Sequence, residues 1–385
     1  MMKIVHVCLA AFYVDNYSYQ ENILPRYHKK LGNEVSIIAS LETYSESGEL
    51  TYLSSPVSYL NEDEIPVFRI GYSNIPFKKK LRKYNGYYNL LEKINPDIIF
   101  MHGPQTFELI NTKKFKNKYP DTKIIVDNHA SSLNSANSFF SKYILHRFYY
   151  NLINKMAEKS IDKYFAVTPQ CKNFLIDNYK INDKKIDMLY LGYEETNLSF
   201  SEIENKRSSV RKKYNIDSQS IVLITGGKIT PNKKLDYVID VFDNIESPNV
   251  KLIVFGTFTN DSKNLESKLK SDSDVILLGW QSSEEINELL IAADIAFFPG
   301  SQSVIWQQAI GSGLVLIVAE EEDVQYLDSG GNVVFVSRES IEDGVKKIDS
   351  LINNKKRLNN LKQISKTLGK QKFSYSNIAE KSIKL

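Results

Sequence analysis

The fold is indicated most clearly by the stretch from Ile221 to Lys234, which reads IVLITGGKITPNKK. Its first five residues are apolar or β-branched, which is typical of a parallel strand covered on both faces. Gly226, Gly227 and Lys228 follow, and because glycine lets a backbone approach a ligand closely, we predict a binding turn there. Lys228 and Lys233 can neutralise a diphosphate as point charges. A solvated basic turn is the alternative interpretation.

Similar buried runs recur along the chain and alternate with helical patterns. In the helix predicted after Lys234, for example, Leu235, Val238 and Ile239 fall on one face. This alternation is typical of doubly wound parallel sheets. The predicted strands are Lys3–Leu9, Glu34–Ala39, Val67–Ile70, Ile98–His102, Lys123–Asp127, Lys163–Val167, Lys185–Tyr190, Ile221–Thr225, Val250–Phe255, Val275–Leu278, Ile295–Phe298, Val315–Val318 and Asn332–Val336.

The strands form two series separated by the polar stretch Gly192–Ser220, and 385 residues are enough for two domains. We therefore predict an α/β fold of two doubly wound, Rossmann-like domains. The predicted domains are residues 1–195 and 196–372. Residues 373–385 are predicted to form a C-terminal helix that packs back on the first domain.

A second informative stretch runs from Phe297 to Gly313 and reads FFPGSQSVIWQQAIGSG. A buried strand ends at its proline, a small polar loop follows, and a short helix is predicted to start near Ser303. Free backbone N–H groups at Ser303 and Val304 would form an anion site. Gln308, about one turn further, would reach a ribose. A plain connection with Ser303 as the helix N-cap is the alternative.

These two segments resemble motifs of the retaining glycosyltransferases of family 4, which have the GT-B fold. Lys228 and Lys233 match the lysines of the first motif, with Lys234 where glycine is usual. The second motif has two glutamates, and here Gln308 replaces the later one and Gly300 the earlier one. The resemblance implies two Rossmann-like domains facing a central cleft, with the donor bound by the second domain and the acceptor by the first.

The resemblance also implies roles for individual residues. Lys228 and Lys233 would stabilise the leaving diphosphate, and Gln308 would contact the ribose. Gln302, two residues after Gly300, can substitute for the missing glutamate that touches the donor sugar. The predicted donor-binding residues are Gly226, Gly227, Gln302, Ser303, Val304 and Gln308.

The first half of the chain extends the resemblance. The run Ile124–His129 resembles the strand that ends in a histidine facing the donor sugar, so His129 joins Lys228 and Lys233 as a predicted catalytic residue. A packed or capped histidine is the alternative for His129, and more strongly for His102.

Composition excludes several classes of protein. A formal net charge of +3 is too small to imply nucleic-acid binding, and Cys8 and Cys171 lack the spacing of a zinc site. No apolar run is long enough to span a bilayer, and no signal peptide is evident, so we expect a cytoplasmic protein. We expect no metal and no other cofactor; the nucleotide-diphosphate sugar is a co-substrate.

The sequence thus predicts a glycosyltransferase that moves a sugar, with retention, to a glycan or lipid-linked acceptor in bacterial lipopolysaccharide or capsule synthesis. A nucleotide-sugar epimerase of the same fold and a non-catalytic scaffold subunit are the alternatives. Arg69–Lys123 holds 12 basic and 4 acidic residues, and the apolar segment Phe139–Tyr149 follows. These features predict peripheral association with the inner membrane surface, unless they are a solvated basic face and an ordinary core helix.

Overall fold

The computed structural model describes residues 1–45, 49–132, 134–136, 138–196 and 198–384. The chain divides into two compact units, Met1–Leu191 with the segment that starts at Tyr375, and Gly192–Ser374. The divisions predicted from the sequence lie at residues 195 and 372. Leu385, the end of the predicted C-terminal helix, lies outside the described residues.

The first unit is built around a mainly parallel sheet. Its strands are β1 (Lys3–Cys8), β2 (Glu34–Ser40), β3 (Glu42–Tyr44), β4 (Leu50–Tyr52), β5 (Val57–Leu60), β6 (Pro66–Ile70), β7 (Ile98–His102), β8 (Lys123–Asn128), β9 (Lys163–Ala166) and β10 (Ile186–Met188). Among the described residues the sheet order is β10-β9-β8-β7-β1-β2-β6-β5, with β5 antiparallel to β6. β3 and β4 form a separate antiparallel pair.

Helices cover both faces of this sheet, as the continuous apolar strands require. They are α1 (Gln20–Lys30), α2 (Lys78–Leu81), α3 (Tyr87–Ile94), α4 (Glu108–Lys118), α5 (Asn151–Ala157) and α6 (Pro169–Tyr179). A π-helical segment, Phe140–Tyr150, runs directly into α5. Pro25 lies within α1, which continues through it.

The second unit contains a fully parallel sheet. Its strands are β11 (Ile221–Ile229), β12 (Val250–Phe258), β13 (Val275–Leu278), β14 (Ile295–Phe297), β15 (Val315–Ala319) and β16 (Val333–Val336), in the order β13-β12-β11-β14-β15-β16 within the described part. Its helices are α7 (Phe200–Lys213), α8 (Leu235–Asp243), α9 (Lys263–Lys270), α10 (Ser283–Ala292), α11 (Ile305–Gly311), α12 (Ile341–Ile352), α13 (Lys355–Ile364) and α14 (Lys370–Phe373).

The last helix, α15 (Tyr375–Ile383), belongs to the first unit and packs on α1. Its Tyr375, Ile378 and Ala379 are buried in a core cluster with Ile4 of β1 and Phe100 of β7. No helix in the described ranges is both long enough and apolar enough to cross a lipid bilayer.

All thirteen predicted strands are present, and the prediction of two doubly wound α/β units is confirmed. β3, β4 and β5 were not predicted. They are short, and β4 and β5 are largely exposed, so they carry no buried apolar run that a sequence pattern can reveal.

A very close backbone contact joins β11 to β12. Gly227 and Gly256 are opposite each other and have φ angles of 112° and 116°. A Cβ atom on Gly256 would lie 1.8 Å from the carbonyl oxygen of Gly227. Glycine at position 256 is therefore a steric requirement of the strand pair, whereas Gly227 has room for a Cβ and is favoured by its positive φ alone.

We expect Gly256→Ala to destabilise the protein by about 2–4 kcal/mol, because it adds both a clash and a strained φ. Chemical denaturation would measure this loss. Gly279→Ala is the matched control, since a Cβ there meets no atom within 4 Å. Equal stability of the two variants would contradict the prediction.

Candidate active site

The glycines of the predicted binding turn lie within a strand. β11 runs on to Ile229, and its pairing with β12 keeps Gly226 and Gly227 in the sheet. The prediction of a turn at these glycines is therefore wrong, and the chain turns later, at Pro231–Lys233. Lys228 is exposed near the carboxyl end of β11.

Lys233 is held against the loop that follows β14. Its ammonium donates hydrogen bonds to the carbonyl oxygens of Ser301 and Gln302, at 3.0 and 3.3 Å. Burial lowers the pKa of Lys233. An ammonium has three N–H donors, so one remains for an anion. The structure thus brings together the basic turn and the polar loop, the two segments that the sequence singled out.

Lys234 and Gly300 depart from the family motifs, and the structure gives a physical reason for the departure at Gly300. Lys234 has a φ of 56°, in the left-handed region that glycine favours. A Cβ on Gly300 would lie 2.3 Å from the carbonyl carbon and oxygen of Lys233. The earlier motif glutamate would therefore not fit here. The amide of Ser301 also donates to the carbonyl of Asn232, at 2.8 Å, which closes the loop onto the turn.

The remaining predicted donor-binding residues lie in and after this loop. Val304 precedes the first residue of α11, and no described side chain caps the helix, so the alternative of Ser303 as an N-cap is wrong. Gln302 donates from its side-chain amide to the Tyr326 hydroxyl at 3.0 Å. Gln308 lies within α11 and is half-buried.

His129 follows β8 in the first unit and is 28% exposed, with Nε2 3.2 Å from Oδ2 of Asp127. Burial alone would lower the pKa of His129, but the charges of Asp127 and Glu21 outweigh it and raise the pKa to about 9. His129 is therefore an imidazolium at neutral pH. Burial opposes the charge of Asp127, yet His102 and His129 hold the pKa of Asp127 below its usual range.

His102 is fully buried and belongs to the same cluster. Its Nδ1 lies 2.9 Å from Asp127 Oδ2, and its Nε2 lies 2.9 Å from Nδ1 of His6. Glu21, His102 and His129 place candidate ligand atoms within 4.8 Å of one another. Because both nitrogens of His102 already have hydrogen-bond partners, we assign no metal to this group. The expectation of a metal-free reaction stays a prediction.

A cavity of about 380 Å³ lies beside His129 in the first unit. Arg82 lines it and donates hydrogen bonds to the carbonyl oxygens of Ala10 and Gln105, at 2.5 and 3.4 Å. These acceptors are uncharged, so they leave the positive charge of Arg82 in place. Lys79 and Lys80 also line the cavity. Its walls are therefore suited to an anionic ligand.

Sequence reasoning missed three groups around His129. Asp127 stands two residues before the histidine at the end of a strand, and that spacing could have identified it. Glu21 and Arg82 could not be found in this way, because only the fold brings residues so distant in sequence to β8.

Comparison with known proteins gives matches over both halves of the chain. The family model for Glycosyltransferase Family 4 matches residues 24–196, and that for Glycosyl transferases group 1 matches residues 206–368. Lipopolysaccharide 1,2-N-acetylglucosaminetransferase of Salmonella typhimurium is 21% identical over 198 residues, which are 46% of this chain and 51% of that protein. The matches span 48% to 68% of the length of the curated relatives.

Solved structures with the same fold cover nearly the whole chain. A glycosyltransferase from Rickettsia africae ESF-5 has a TM-score of 0.69 and 17% identity, covering 99% of this chain and 96% of its own. Anabaena Alr3699/HepE, in complex with UDP-glucose, has a TM-score of 0.63 and 13% identity, covering 99% of this chain and 98% of its own.

Two doubly wound parallel units of this kind define the GT-B class of fold. Within that class, the chain belongs to the family 4 glycosyltransferases.

We expect Asp127→Asn to lower the pKa of His129 from about 9 by about two units, because the nearer of its two anions is removed. An NMR pH titration of the imidazole would measure the change. The stabilisation from this pair is complete below about pH 6.5 and is lost as the pH rises through about 9, since the folded-state pKa is raised.

The matched control is Asp187→Asn, which removes a half-exposed aspartate paired with Lys163 at the edge of the same sheet. It should leave the His129 titration unchanged. An unchanged titration in Asp127→Asn would show that Asp127 does not set the charge of His129.

Proposed function

We propose that this protein transfers a sugar, with retention, from a nucleotide-diphosphate sugar to a lipid-linked glycan acceptor in bacterial surface polysaccharide synthesis. The observation that carries the proposal is the Lys233 ammonium fixed against the loop Gly300–Val304 in a chain of this family. The Salmonella relative named for lipopolysaccharide and the Anabaena structure with UDP-glucose support the pathway and the donor class.

In this proposal, the second unit binds the donor diphosphate. Bond cleavage leaves an oxocarbenium-like sugar and builds negative charge on the diphosphate. Lys228, the free N–H of Lys233 and the backbone amides of Ser303 and Val304 stabilise that charge. They do so as prepositioned donors rather than by covalent catalysis. Gln308 donates a hydrogen bond to the ribose.

The backbone at Gly227, where a Cβ would meet no atom within 4 Å, lets the donor approach β11 without side-chain obstruction, whereas the space beside Gly226 is filled by Phe255. Gln302 is proposed to act on the donor sugar in place of the glutamate that Gly300 excludes. Its amide is already oriented by Tyr326, which reduces the entropy lost on binding.

His129 is proposed to act in the sugar-transfer step as an imidazolium. A protonated imidazole donates from both nitrogens, and Asp127 occupies only one of them. The remaining N–H is available to a sugar hydroxyl or a developing anion. Activity should therefore fall as the pH rises through about 9, the pKa of His129.

The cavity beside His129 is proposed to receive the acceptor. Arg82, Lys79 and Lys80 favour an acceptor that carries a phosphate close to the reacting hydroxyl. His146 adds no charge, because burial and the nearby Arg82 lower its pKa to about 4. A phosphate-linked glycan satisfies this pattern of charge.

An exposed apolar helix face adjoins the same cavity. We name it the apolar helix face; it comprises Phe139, Phe140, Tyr143, Ile144, Phe148, Leu152 and Met156, all exposed, with Phe148 at 67%. Lys142, Arg147 and Lys155 lie on the same helix, whose residues from Phe140 to Ala157 include no acidic side chain.

Large exposed apolar surfaces on a monomer mark interaction sites, and a basic border favours an anionic bilayer. The same helix lines the cavity through Ser141, Leu145 and Tyr150. A lipid-linked acceptor could thus keep its hydrocarbon chain in the bilayer while its phosphate enters the cavity. This supports peripheral binding to the inner membrane surface.

The proposed reaction is tested by incubating the protein with a panel of nucleotide sugars. Transfer or slow donor hydrolysis supports a glycosyltransferase, an isomerised donor supports an epimerase, and binding without turnover supports a scaffold. We expect Lys233→Ala to lower kcat/KM about a hundredfold, because a charge-assisted contact with the leaving group is lost.

Lys251→Ala is the matched control, since Lys251 is also partly buried but pairs with Asp274 away from the loop. It should retain wild-type kcat/KM. Wild-type kinetics in Lys233→Ala would refute the assignment of the diphosphate site.

Membrane binding is tested by co-sedimentation with vesicles of phosphatidylglycerol or phosphatidylcholine. We expect binding to the anionic vesicles only, weakened by salt and by changing Lys78, Lys79 and Lys80 to Gln. Phe148→Ser should weaken it about tenfold or more, because one apolar anchor is lost.

Trp280→Ser is the control, because Trp280 is equally exposed but lies in the second unit. It should bind vesicles like the wild type. Absence of binding to both vesicle types at low salt would refute the membrane proposal and indicate a soluble acceptor.

A further inference from the structure

Four of the five histidines of the chain take part in one hydrogen-bonded series inside the first unit. From Asp127, the series runs through His102, His6 and His28, with 2.9 Å at each of the three contacts. It ends at Ser382 of α15, whose Oγ lies 2.8 Å from Nε2 of His28. His129 contacts the same oxygen of Asp127, Oδ2, at 3.2 Å.

Strands β1 and β7 and helix α1 bring together three rings that are far apart in the sequence. His6 pairs in register with Phe100 of β7, and His102 lies two residues further on the same face. Phe100 stacks on the ring of His6, with centroids 5.2 Å apart. His6, His28 and His102 have no exposed surface, so the series is shielded from water.

We propose that His102, His6 and His28 form a positioning relay that couples Ser382 to the Asp127–His129 pair. The relay rests on the proposed role of His129 in transfer. Its residues touch no substrate; they act by fixing the carboxylate that holds His129.

The direction of the hydrogen bonds follows from Asp127. A carboxylate only accepts, so His102 Nδ1–H donates to it, and the neutral ring then accepts at Nε2. His6 and His28 must each donate from Nδ1 in turn. The Oγ of Ser382 lies 2.8 Å from both His28 Nε2 and the Ala379 carbonyl oxygen, and in this direction its single proton is donated to His28. Burial lowers the pKa of both His6 and His28, that of His28 to about 4, which keeps these rings neutral.

The hydrogen bonds can also run in the opposite direction without leaving a ring unpaired, but this arrangement needs one more proton. With His102 doubly protonated, each ring donates from Nε2, and His28 donates to the carbonyl of Ala379, 3.1 Å away. Two imidazolium rings would then share Asp127. The other ionisable groups near this pair include Glu21, Cys8 and Cys171. Glu21 favours the charge of His129, and burial keeps both thiols neutral by raising their pKa. The arrangement in which His102, His6 and His28 are all neutral is therefore the one that accompanies protonated His129.

The test is ¹⁵N NMR of the full chain with labelled histidine. At pH 7 we expect the Nδ1–H tautomer at His6, His28 and His102. In Ser382→Ala, His28 Nε2 loses its donor, and it regains a hydrogen bond only if the series reverses and His28 donates to Ala379. The reversed series carries an extra proton on His102, and this positive charge disfavours the protonated form of His129. We expect the pKa of His129 to fall by about half a unit to one unit, and kcat to fall with little change in KM.

Ser382→Thr keeps the hydroxyl and should restore the wild-type titration. Ser365→Ala, which removes another buried serine hydroxyl that bonds to a backbone carbonyl in the second unit, should leave it unchanged. The Nε2–H tautomer at His6 or His28 in the wild type, or an unchanged His129 titration in Ser382→Ala, would overturn the relay. Neither readout requires sugar transfer, so a failure of the proposed function is separately visible in the donor panel.

Discussion

Asp127 is a carboxylate without exposed surface, and a buried charge of this kind is stable only when donors surround it. His102, His129 and the amide of Gly103 supply those donors. Each comes from the carboxyl end of β7 or β8, where parallel strands deliver their polar groups to one edge. The geometry of the first unit near its cavity therefore depends on this one carboxylate, which must stay ionised to keep both rings in place.

In the second unit, a charged side chain is held in place by backbone atoms rather than by other side chains. Gly300 allows the loop after β14 to touch Lys233, and that contact gives the ammonium two carbonyl acceptors. The family pattern has a glutamate and a glycine where this chain has Gly300 and Lys234. The two departures occur in segments that touch each other, so we interpret them as one coordinated change in how the loop and the turn fit together.

Sequence patterns predicted the strands and the two units because continuous apolar runs report burial directly. They failed at Gly226 and Gly227, where the glycines suggested a turn. Pairing with β12 instead keeps the backbone of these residues in the extended strand. They also missed the connection between His6, His28 and His102, since its partners are 22 and 96 residues apart. The position of His129 at the end of a strand could be predicted from the sequence. Its charge could not, because that charge depends on Asp127 and Glu21.

The position of α15 has a consequence for biosynthesis. Tyr375, Ile378 and Ala379 complete a core cluster whose other members include Ile4, Ile23 and Phe100. The ribosome releases those earlier residues long before residues 375–383. Part of the apolar surface of the first unit therefore stays uncovered while the second unit is being made. The first unit thus begins to emerge from the ribosome before the second unit, but its core is completed after all residues of the second unit have been made.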